Sequence, residues 1–373
     1  MKISRLSVAA CAAVATLSLG LSACAANEGG GGEAAPAGGA SSGSASLTGT
    51  LSGVGASSAA TAQETWAAAF QTVNPDVTVN YSPDGSGAGR DAFAGGGADF
   101  AGSDRALTAE EASAASLSSS RCADGSAAID LPIYVSPIAV IYKLEGVDDL
   151  KLDAETLAGI FKGDIKTWDD AKIKALNEGA TLPSTNITAV HRADDSGTTE
   201  NFTDYLHTVA PSVWDAEADG EWPFPGGEAA PQTSGVVDAV SNGNGTIGYA
   251  DASKAGDLGV AQIKVGDKFL EPTAEAAAAV VDASPRDTEG RSANDIVVTL
   301  DRKAEGDVYP VVLLSYAIAC EKYEDPAVAA KVKGYLSYVA SAKGQQDAVA
   351  TAKMAPLSEE LSAEVEAAAA KIS

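Results

Sequence analysis

The chain is 373 residues long and strongly acidic, with a formal net charge of −26 at pH 7. This charge argues against a nucleic-acid partner, because the sequence offers no basic surface that would follow a phosphate backbone. It also gives no long-range attraction for a small anion. Any anion would have to be held locally, by backbone dipoles and by one or two buried cations.

The N-terminus has the features of a lipoprotein signal. Lys2 and Arg5 precede an apolar run over about residues 6–21, which is too short to span a membrane as a helix. The run ends in Leu21-Ser22-Ala23-Cys24, which resembles the bacterial lipobox. We therefore predict a signal peptide over residues 1–23 and a lipidated, palmitate-bearing Cys24. A plain signal peptide cleaved at nearby Ala-x-Ala-like residues is the alternative.

A low-complexity tether follows the predicted signal. Residues 24–47 are almost all Gly, Ala and Ser, a composition that cannot form a packed core and behaves as a flexible linker. No later apolar run in the sequence is long enough to cross a bilayer. We therefore expect a soluble mature protein, held by lipid on the extracytoplasmic face of the cell membrane. The remaining length is enough for two lobes.

Three segments that combine a strand with a donor-rich turn come next. In residues 51–59, a short strand and a glycine-containing turn lead to Ser57 and Ser58. An amphipathic helix follows, with apolar residues at helical spacing: Trp66, Ala69, Phe70 and Val73. An alternating strand at 77–81 runs into a Gly/Ser loop over 82–90, and a third strand ends near Asp104. In α/β sheets such turns place ligands at the carboxyl ends of strands.

Each of these segments also has a simpler explanation. Residues 85–89 match a Gly-x-Gly-x-x-Gly spacing only in part, lack a P-loop lysine, and could be an ordinary flexible loop. Asp104 could cap a helix that we predict near Leu107 to Ser113. Individually the signals are weak, but several donor-rich turns beside helix starts in one chain indicate an anion site.

The segment 191–199 carries the strongest local signal. Ser196 is a predicted N-cap, and Glu200 lies in the first turn of a helix with apolar residues at i, i+3, i+4 and i+7: Phe202, Tyr205, Leu206 and Val209. The first N–H groups of such a helix are unpaired and suit a bound anion. Further groups beside them favour an oxyanion: Arg192, Ser196, Gly197 and Thr198. The alternative is an ordinary capped surface helix with a charged approach loop.

The sequence does not favour an enzyme. Residues 194–197 faintly resemble the surroundings of a trypsin-like nucleophile, but that fold is all-β and this chain alternates strands and helices. The only two histidines, His191 and His207, leave a general base scarce and are not clustered with cysteines. We therefore predict no catalysis, no metal and no other cofactor.

The cysteines indicate one disulfide. Cys11 leaves with the signal and Cys24 is predicted to carry lipid, so Cys122 and Cys320 remain in an oxidising compartment. A disulfide between these two is our preferred interpretation.

Taken together, these segments resemble the phosphate-binding protein of the bacterial high-affinity phosphate importer, the substrate receptor of an ATP-binding-cassette (ABC) transporter. The resemblance extends from Leu47 to the C-terminal helices. It is carried by six segments: 53–58 (GVGASS), 85–87 (GSG), 100–104 (FAGSD), 159–169 (GIFKGDIKTWD), 192–198 (RADDSGT) and 245–249 (GTIGY). Two positions depart from the family pattern. Ser57-Ser58 stands where some relatives have Thr and an aromatic residue, and Asp195 stands where others have Gly.

The resemblance implies a ligand set. Phosphate would be held by Ser57, Ser58, Ser86, Asp104, Arg192, Ser196, Gly197 and Thr198. Asp194 would brace Arg192, and Ser58 would contribute through its backbone only. Asp195 would add a carboxylate close to the anion, in an orientation that the sequence does not define.

The resemblance also implies a fold, the α/β type II periplasmic-binding-protein fold, in which a two-strand hinge joins two α/β lobes around a ligand cleft. Lobe I would comprise residues 48–132 plus 310–373, and lobe II residues 133–309. The hinge crossings would lie near 131–134 and 308–311, each beside a proline. The apolar loop 222–227 could be a cleft rim or a docking knob, although packing within its own lobe is favoured.

The implied function is that of a lipid-anchored, monomeric receptor that binds inorganic phosphate and delivers it to the membrane subunits of an ABC phosphate importer. Asp104 would favour phosphate over sulfate, because an ionised carboxylate only accepts hydrogen bonds and phosphate near neutral pH still carries a proton. The alternatives are a receptor for another tetrahedral oxyanion on the same fold, or a secreted phosphatase or hydrolase.

Overall fold

The structure is a computed structural model of the chain, and it describes residues 46–373. The predicted signal peptide, the predicted lipidation site Cys24 and nearly all of the tether lie outside the described residues. None of the helices in the described part is long and apolar enough to cross a membrane.

Residues 46–373 contain both strands and helices, interspersed along the chain. The strands are β1 (Gly49–Gly55), β2 (Val77–Ser82), β3 (Phe100–Ser103), β4 (Ala128–Lys143), β5 (Lys151–Leu152), β6 (Thr188–Arg192), β7 (Glu228–Ala230), β8 (Thr246–Asp251), β9 (Gly259–Val260), β10 (Gln262–Val265), β11 (Lys268–Leu270), β12 (Arg286–Asp287), β13 (Val297–Val298) and β14 (Val312–Cys320). The helices are α1 (Ala60–Val73), α2 (Ser86–Ala94), α3 (Ala154–Lys162), α4 (Ala171–Leu176), α5 (Gly197–Val209), α6 (Gln232–Asn242), α7 (Ala274–Ala283), α8 (Pro326–Ala340), α9 (Ala342–Ala352) and α10 (Glu359–Ala369).

Most of the strands belong to one nine-stranded sheet. Its order is β2-β1-β3-β14-β4-β8-β6-β7, and β9 also pairs with β4. At one end β1 is parallel to β2 and β3, and at the other β6 is parallel to β7 and β8. Antiparallel pairing through β14 and β4 connects the two ends. Parallel strands end at the same edge of a sheet, so the loops after β1, β2 and β3 lie together.

The long strand β4 changes its partner along its length. Residues 128–137 pair with β14, and residues 138–143 pair with β8. The segments in which we predicted the chain to cross between lobes, 131–134 and 308–311, lie within or beside this shared region. The Ile138 N–H donates to the carbonyl of Val311 at 2.7 Å, which joins β4 to the second of these segments.

The predicted amphipathic helices contribute buried side chains to the core. Trp66 and Phe70 of α1 are buried, as are Phe202 and Leu206 of α5, which confirms the helical spacing seen in the sequence. Val73 is the exception, because it lies at the end of α1 and is 68% exposed.

One helix prediction was wrong. Residues 109–120 form turns and bends, although we predicted a helix near Leu107 to Ser113. The hydroxyls of Ser113 and Ser116 both donate to the carbonyl of Glu110, each at 2.7 Å. Such local side-chain bonds compete with helical backbone pairing. Asp104 therefore does not cap a helix in this segment.

Two further predictions are confirmed. Cys122 and Cys320 form a disulfide, with their Cα atoms 5.2 Å apart. The ring of Trp222 stacks on that of His191, with 4.7 Å between centroids, and lies edge-on to Trp214. The aromatic side chains of the apolar loop 222–227 therefore pack on their own neighbourhood, while its prolines and glycines are exposed.

Candidate anion-binding site

Asp104 connects four segments of the chain through its carboxylate and its backbone N–H. Asp104 directly follows β3 and is 3% exposed. The Ser58 hydroxyl, from the loop after β1, donates to both carboxylate oxygens at 2.7 and 2.8 Å. The Thr198 hydroxyl, from the first turn of α5, donates to Oδ2 at 2.8 Å. The backbone N–H of Asp104 donates to the hydroxyl of Ser86, the first residue of α2, at 3.1 Å.

The surroundings of Asp104 shift its titration. Burial raises the pKa of its carboxyl, while the hydrogen bonds from Ser58 and Thr198 and the positive charge of Arg192 act in the opposite direction. The net shift is upward. When ionised, this carboxylate only accepts hydrogen bonds, and a protonated oxygen of a ligand could take the place of one of the hydroxyls.

Arg192 lies at the end of β6 and is held in one orientation. Its side chain is 3% exposed, its Nε donates to Asp194 Oδ1 at 2.8 Å, and its Nη2 donates to Oδ2. Asp194 also accepts the N–H of Gln232 at 2.9 Å. Burial acts to raise the pKa of Asp194, but the bonds and charge of Arg192 outweigh it and the pKa is lowered. Nη1 of Arg192 has no hydrogen-bond partner within residues 46–373.

Two glycines allow the loops to approach one another. Gly85 has a positive φ of 107°, and a Cβ there would lie 2.7 Å from Asp194 Oδ2. A Cβ at Gly197 would lie 2.8 Å from the Ser86 hydroxyl oxygen. Any larger residue at these positions would push the loops apart.

Ser196 and Ser57 complete the predicted set. The Ser196 hydroxyl accepts the N–H of Thr199 at 3.2 Å, which confirms Ser196 as the N-cap of α5. The Ser57 oxygen accepts the N–H of Thr233 at 3.1 Å and lies 3.0 Å from the Thr233 hydroxyl.

Sequence reasoning missed Thr233. It lies in the first turn of α6 and is 3% exposed. The signal that could have found it is Pro231-Gln232-Thr233-Ser234-Gly235, another hydroxyl-rich helix start. Two backbone N–H groups of this turn bind side chains of the site. The Gln232 N–H donates to the Asp194 carboxylate, and the Thr233 N–H donates to the Ser57 hydroxyl.

The two departures from the family pattern have defined surroundings. The Ser58 hydroxyl is bound to Asp104, so its side chain takes part in the cluster. The Asp195 carboxylate is turned to Arg90, with 2.9 Å between Oδ2 and Nη2. The extra carboxylate is therefore neutralised by a cation from α2.

A cavity of about 700 Å³ lies beside this cluster and also touches Asp104. Arg302, one of the cations that line it, already donates to Asp204 at 2.7 Å and to Asn201 at 2.5 Å. Because this guanidinium is already paired, the cavity is a weaker candidate for an anion than the cluster around Arg192.

The fold and this donor-lined cluster define a substrate-binding protein. A family model described as a PBP superfamily domain matches residues 40–343, so the class is the periplasmic-binding-protein superfamily. Within it, the chain belongs to the PstS family of phosphate-binding proteins. It is 38% identical over 292 residues to the phosphate-binding protein PstS 3 of Mycobacterium tuberculosis, which covers 77% of each chain. It is 33% identical over 296 residues to the phosphate-binding protein PstS of Methanocaldococcus jannaschii, covering 74% of each.

Solved structures of phosphate-binding proteins share the fold. The periplasmic phosphate-binding protein PfluDING, solved with phosphate, aligns with a TM-score of 0.69 at 22% identity, covering 85% of this chain and 93% of that one. A phosphate-binding protein from Stenotrophomonas maltophilia aligns with a TM-score of 0.64 at 20% identity, over 85% and 93%. The predicted fold class is confirmed.

Proposed function

We propose that this protein binds inorganic phosphate at the cluster around Asp104 and Arg192 and delivers it to an ABC-type phosphate importer. The observation that carries the proposal is this buried cluster, which combines hydroxyl donors and one carboxylate with a guanidinium whose Nη1 has no partner among residues 46–373. The first-turn N–H groups of α5 add the positive end of a helix dipole. The names of the relatives, which describe phosphate-binding proteins, support the same ligand.

The proposed ligand set is Ser57, Ser58, Ser86, Asp104, Arg192, Ser196, Gly197 and Thr198, with Asp194 holding Arg192. A protonated phosphate oxygen would displace the Thr198 hydroxyl from Asp104, and that hydroxyl would then donate to the phosphate. Hydrogen bonds to charged groups contribute about 1.5–3 kcal/mol each. A handful of them is enough for micromolar affinity, which requires about 8 kcal/mol.

The proposal includes the two lobes, residues 48–132 plus 310–373 and residues 133–309. The change of partner along β4 supports this division, because opening about the strands that both ends share would admit the ligand. We further propose a monomer, without catalytic activity, anchored through lipid on Cys24 at the extracytoplasmic face of the membrane. The lipobox-like residues 21–24 support the anchor.

Isothermal titration of the purified protein with phosphate, arsenate and sulfate tests the proposed function. We expect phosphate to bind in the micromolar range or tighter and sulfate to bind at least about tenfold more weakly, since it leaves Asp104 facing an acceptor. A protein that takes up sulfate or another oxyanion in preference to phosphate is a receptor for that oxyanion, and the proposal is then wrong.

A further inference from the structure

Arg90 contacts the neighbours of several proposed ligand residues. It lies on α2, and its side chain is 9% exposed. Its Nη1 donates to the Ser103 hydroxyl at 3.1 Å, and its Nη2 donates to both oxygens of Asp195 at 2.9 and 3.2 Å. Arg90 and the two residues it contacts each lie close in the chain to a proposed ligand residue. Arg90 lies one helical turn after Ser86. Ser103 precedes Asp104, and Asp195 precedes Ser196.

Asp195 is fitted against α2 through its backbone as well. Its carbonyl accepts the N–H of Gly87 at 3.2 Å. A Cβ at Gly87 would lie 2.3 Å from the Asp195 Oδ2, and a Cβ at Gly220 would lie 2.1 Å from Oδ1. The two glycines therefore leave a slot of the size of a carboxylate, with the guanidinium of Arg90 at its end. This slot suits an aspartate at a position where the family pattern has glycine.

The ion pair joins segments that are 105 residues apart and that we assign to opposite lobes. It forms only when the two segments meet, so it stabilises the closed form and not the open one. The apparent affinity of a ligand rises with the population of the form that binds it. Because the Asp195 side chain is 43% exposed, water weakens the ion pair, and we expect it to change the apparent affinity only modestly.

We propose that Arg90 and Asp195 are positioning residues for phosphate binding, whose ion pair holds the start of α2 against the approach to α5. This inference depends on the proposed function and on the proposed lobes. A nearby ion pair, between the loop after β3 and α5, joins different segments and cannot replace it. Arg105 Nε lies 3.2 Å from Glu200 Oε2, but the Arg105 Nη1 and Nη2 atoms already donate to Glu111, at 2.7 and 2.8 Å.

A double-mutant cycle tests the inference. Asp195→Asn removes one charge with little change in size, Arg90→Gln removes the other and shortens the side chain, and the double variant removes the pair. Asp91→Asn is the matched control, since it removes a charge from an exposed position on the same helix. The phosphate Kd is measured by calorimetry, the dissociation rate by stopped flow, and the thermal midpoint with and without phosphate.

We expect each single variant to raise the Kd by about three- to fivefold, chiefly through faster dissociation. The Kd of the double variant should be no higher than those of the single variants, because all three lack the same ion pair. The midpoint of the phosphate-free protein should stay at the wild-type value, while that of the loaded protein falls. Arg90→Lys, which keeps the charge, should recover part of the affinity, and Asp91→Asn should bind as the wild type does.

Unchanged affinity in all variants, or losses that add in the double variant, would overturn the inference and leave the proposed function intact. An equal fall of the thermal midpoint with and without phosphate would also overturn the inference, because the ion pair would then stabilise the fold without favouring the phosphate-bound form. If the wild type takes up no phosphate, the proposed function fails together with the inference. Should Asp195→Asn fail to fold, Asp195→Gly, the residue of the family pattern, provides the same comparison.

Discussion

The Thr198 hydroxyl donates a hydrogen bond of 2.8 Å to the Asp104 carboxylate, although the two residues are 94 positions apart in the chain. Ser58 donates to the same carboxylate. A ligand oxygen that brings its own proton can replace one of these hydroxyls and release it as a donor, whereas an oxygen without a proton cannot. Selectivity in the proposed site therefore depends on Asp104, and affinity depends mainly on Arg192 and the start of α5.

Arg192→Lys should weaken phosphate binding by roughly ten- to a hundredfold, the value of one or two charged hydrogen bonds. Lysine keeps the positive charge but loses the planar fork that contacts Asp194 and a ligand together. Calorimetric titration measures the change, with Arg121→Lys, a similar exchange elsewhere in the chain, as the control. An affinity within twofold of the wild type would mean that Arg192 does not contact the anion.

Thr233→Val should weaken phosphate binding by about three- to tenfold. Ser57 accepts the N–H of Thr233, and a donated bond from the Thr233 hydroxyl would leave the Ser57 proton for the ligand. Thr233→Ser keeps a hydroxyl and should bind nearly as well as the wild type. Equal binding by the valine and serine variants would show that Thr233 does not orient Ser57.

Glu200 should make the stability of the protein depend on pH. Burial raises the pKa of its carboxyl to about 7, against the opposing charges of Arg105 and Arg90 and together with those of Asp195 and Asp219. Arg105 interacts mainly with Glu111, to which both of its terminal nitrogens donate. These bonds lower the pKa of Glu111 to about 2.

The sign follows from the raised pKa of Glu200. Its contribution to stability is fully present below the unfolded value of 4.5 and is lost as the pH rises through about 7. The free energy of unfolding of the wild type should therefore fall relative to that of Glu200→Gln across this range. Urea unfolding at a series of pH values measures both curves, and parallel curves would show that Glu200 does not titrate differently in the folded protein.

Loss of the Cys122–Cys320 disulfide should lower the free energy of unfolding by about 2–5 kcal/mol, a usual range for a native bridge. Both cysteines fall in the proposed lobe I, so the bond does not cross the hinge. The double Ser variant, Cys122→Ser with Cys320→Ser, should therefore keep a phosphate Kd within about twofold of the wild type once it is folded. A large change in Kd would place the bridge across the moving parts and contradict the lobe assignment.

Local sequence patterns identified the residues that now meet at Asp104, because each lies where a strand ends or a helix starts and is marked by glycines and hydroxyls. The same patterns contain no information about which loops face each other. The Arg90–Asp195 and Ser57–Thr233 contacts depend on the strand order of the sheet, so neither could be predicted from the sequence. The prediction of a helix near Leu107 to Ser113 was wrong for a local reason, because two serine hydroxyls there donate to the carbonyl of Glu110.

The central claim is that Asp104 selects an oxyanion that carries a proton. Calorimetric titration of the wild type and of Asp104→Asn with phosphate and with sulfate, at one pH, tests it most directly. Asparagine can donate as well as accept, so the variant should admit sulfate, and the ratio of sulfate Kd to phosphate Kd should fall by about tenfold or more. An unchanged ratio would show that the preference for phosphate does not come from Asp104.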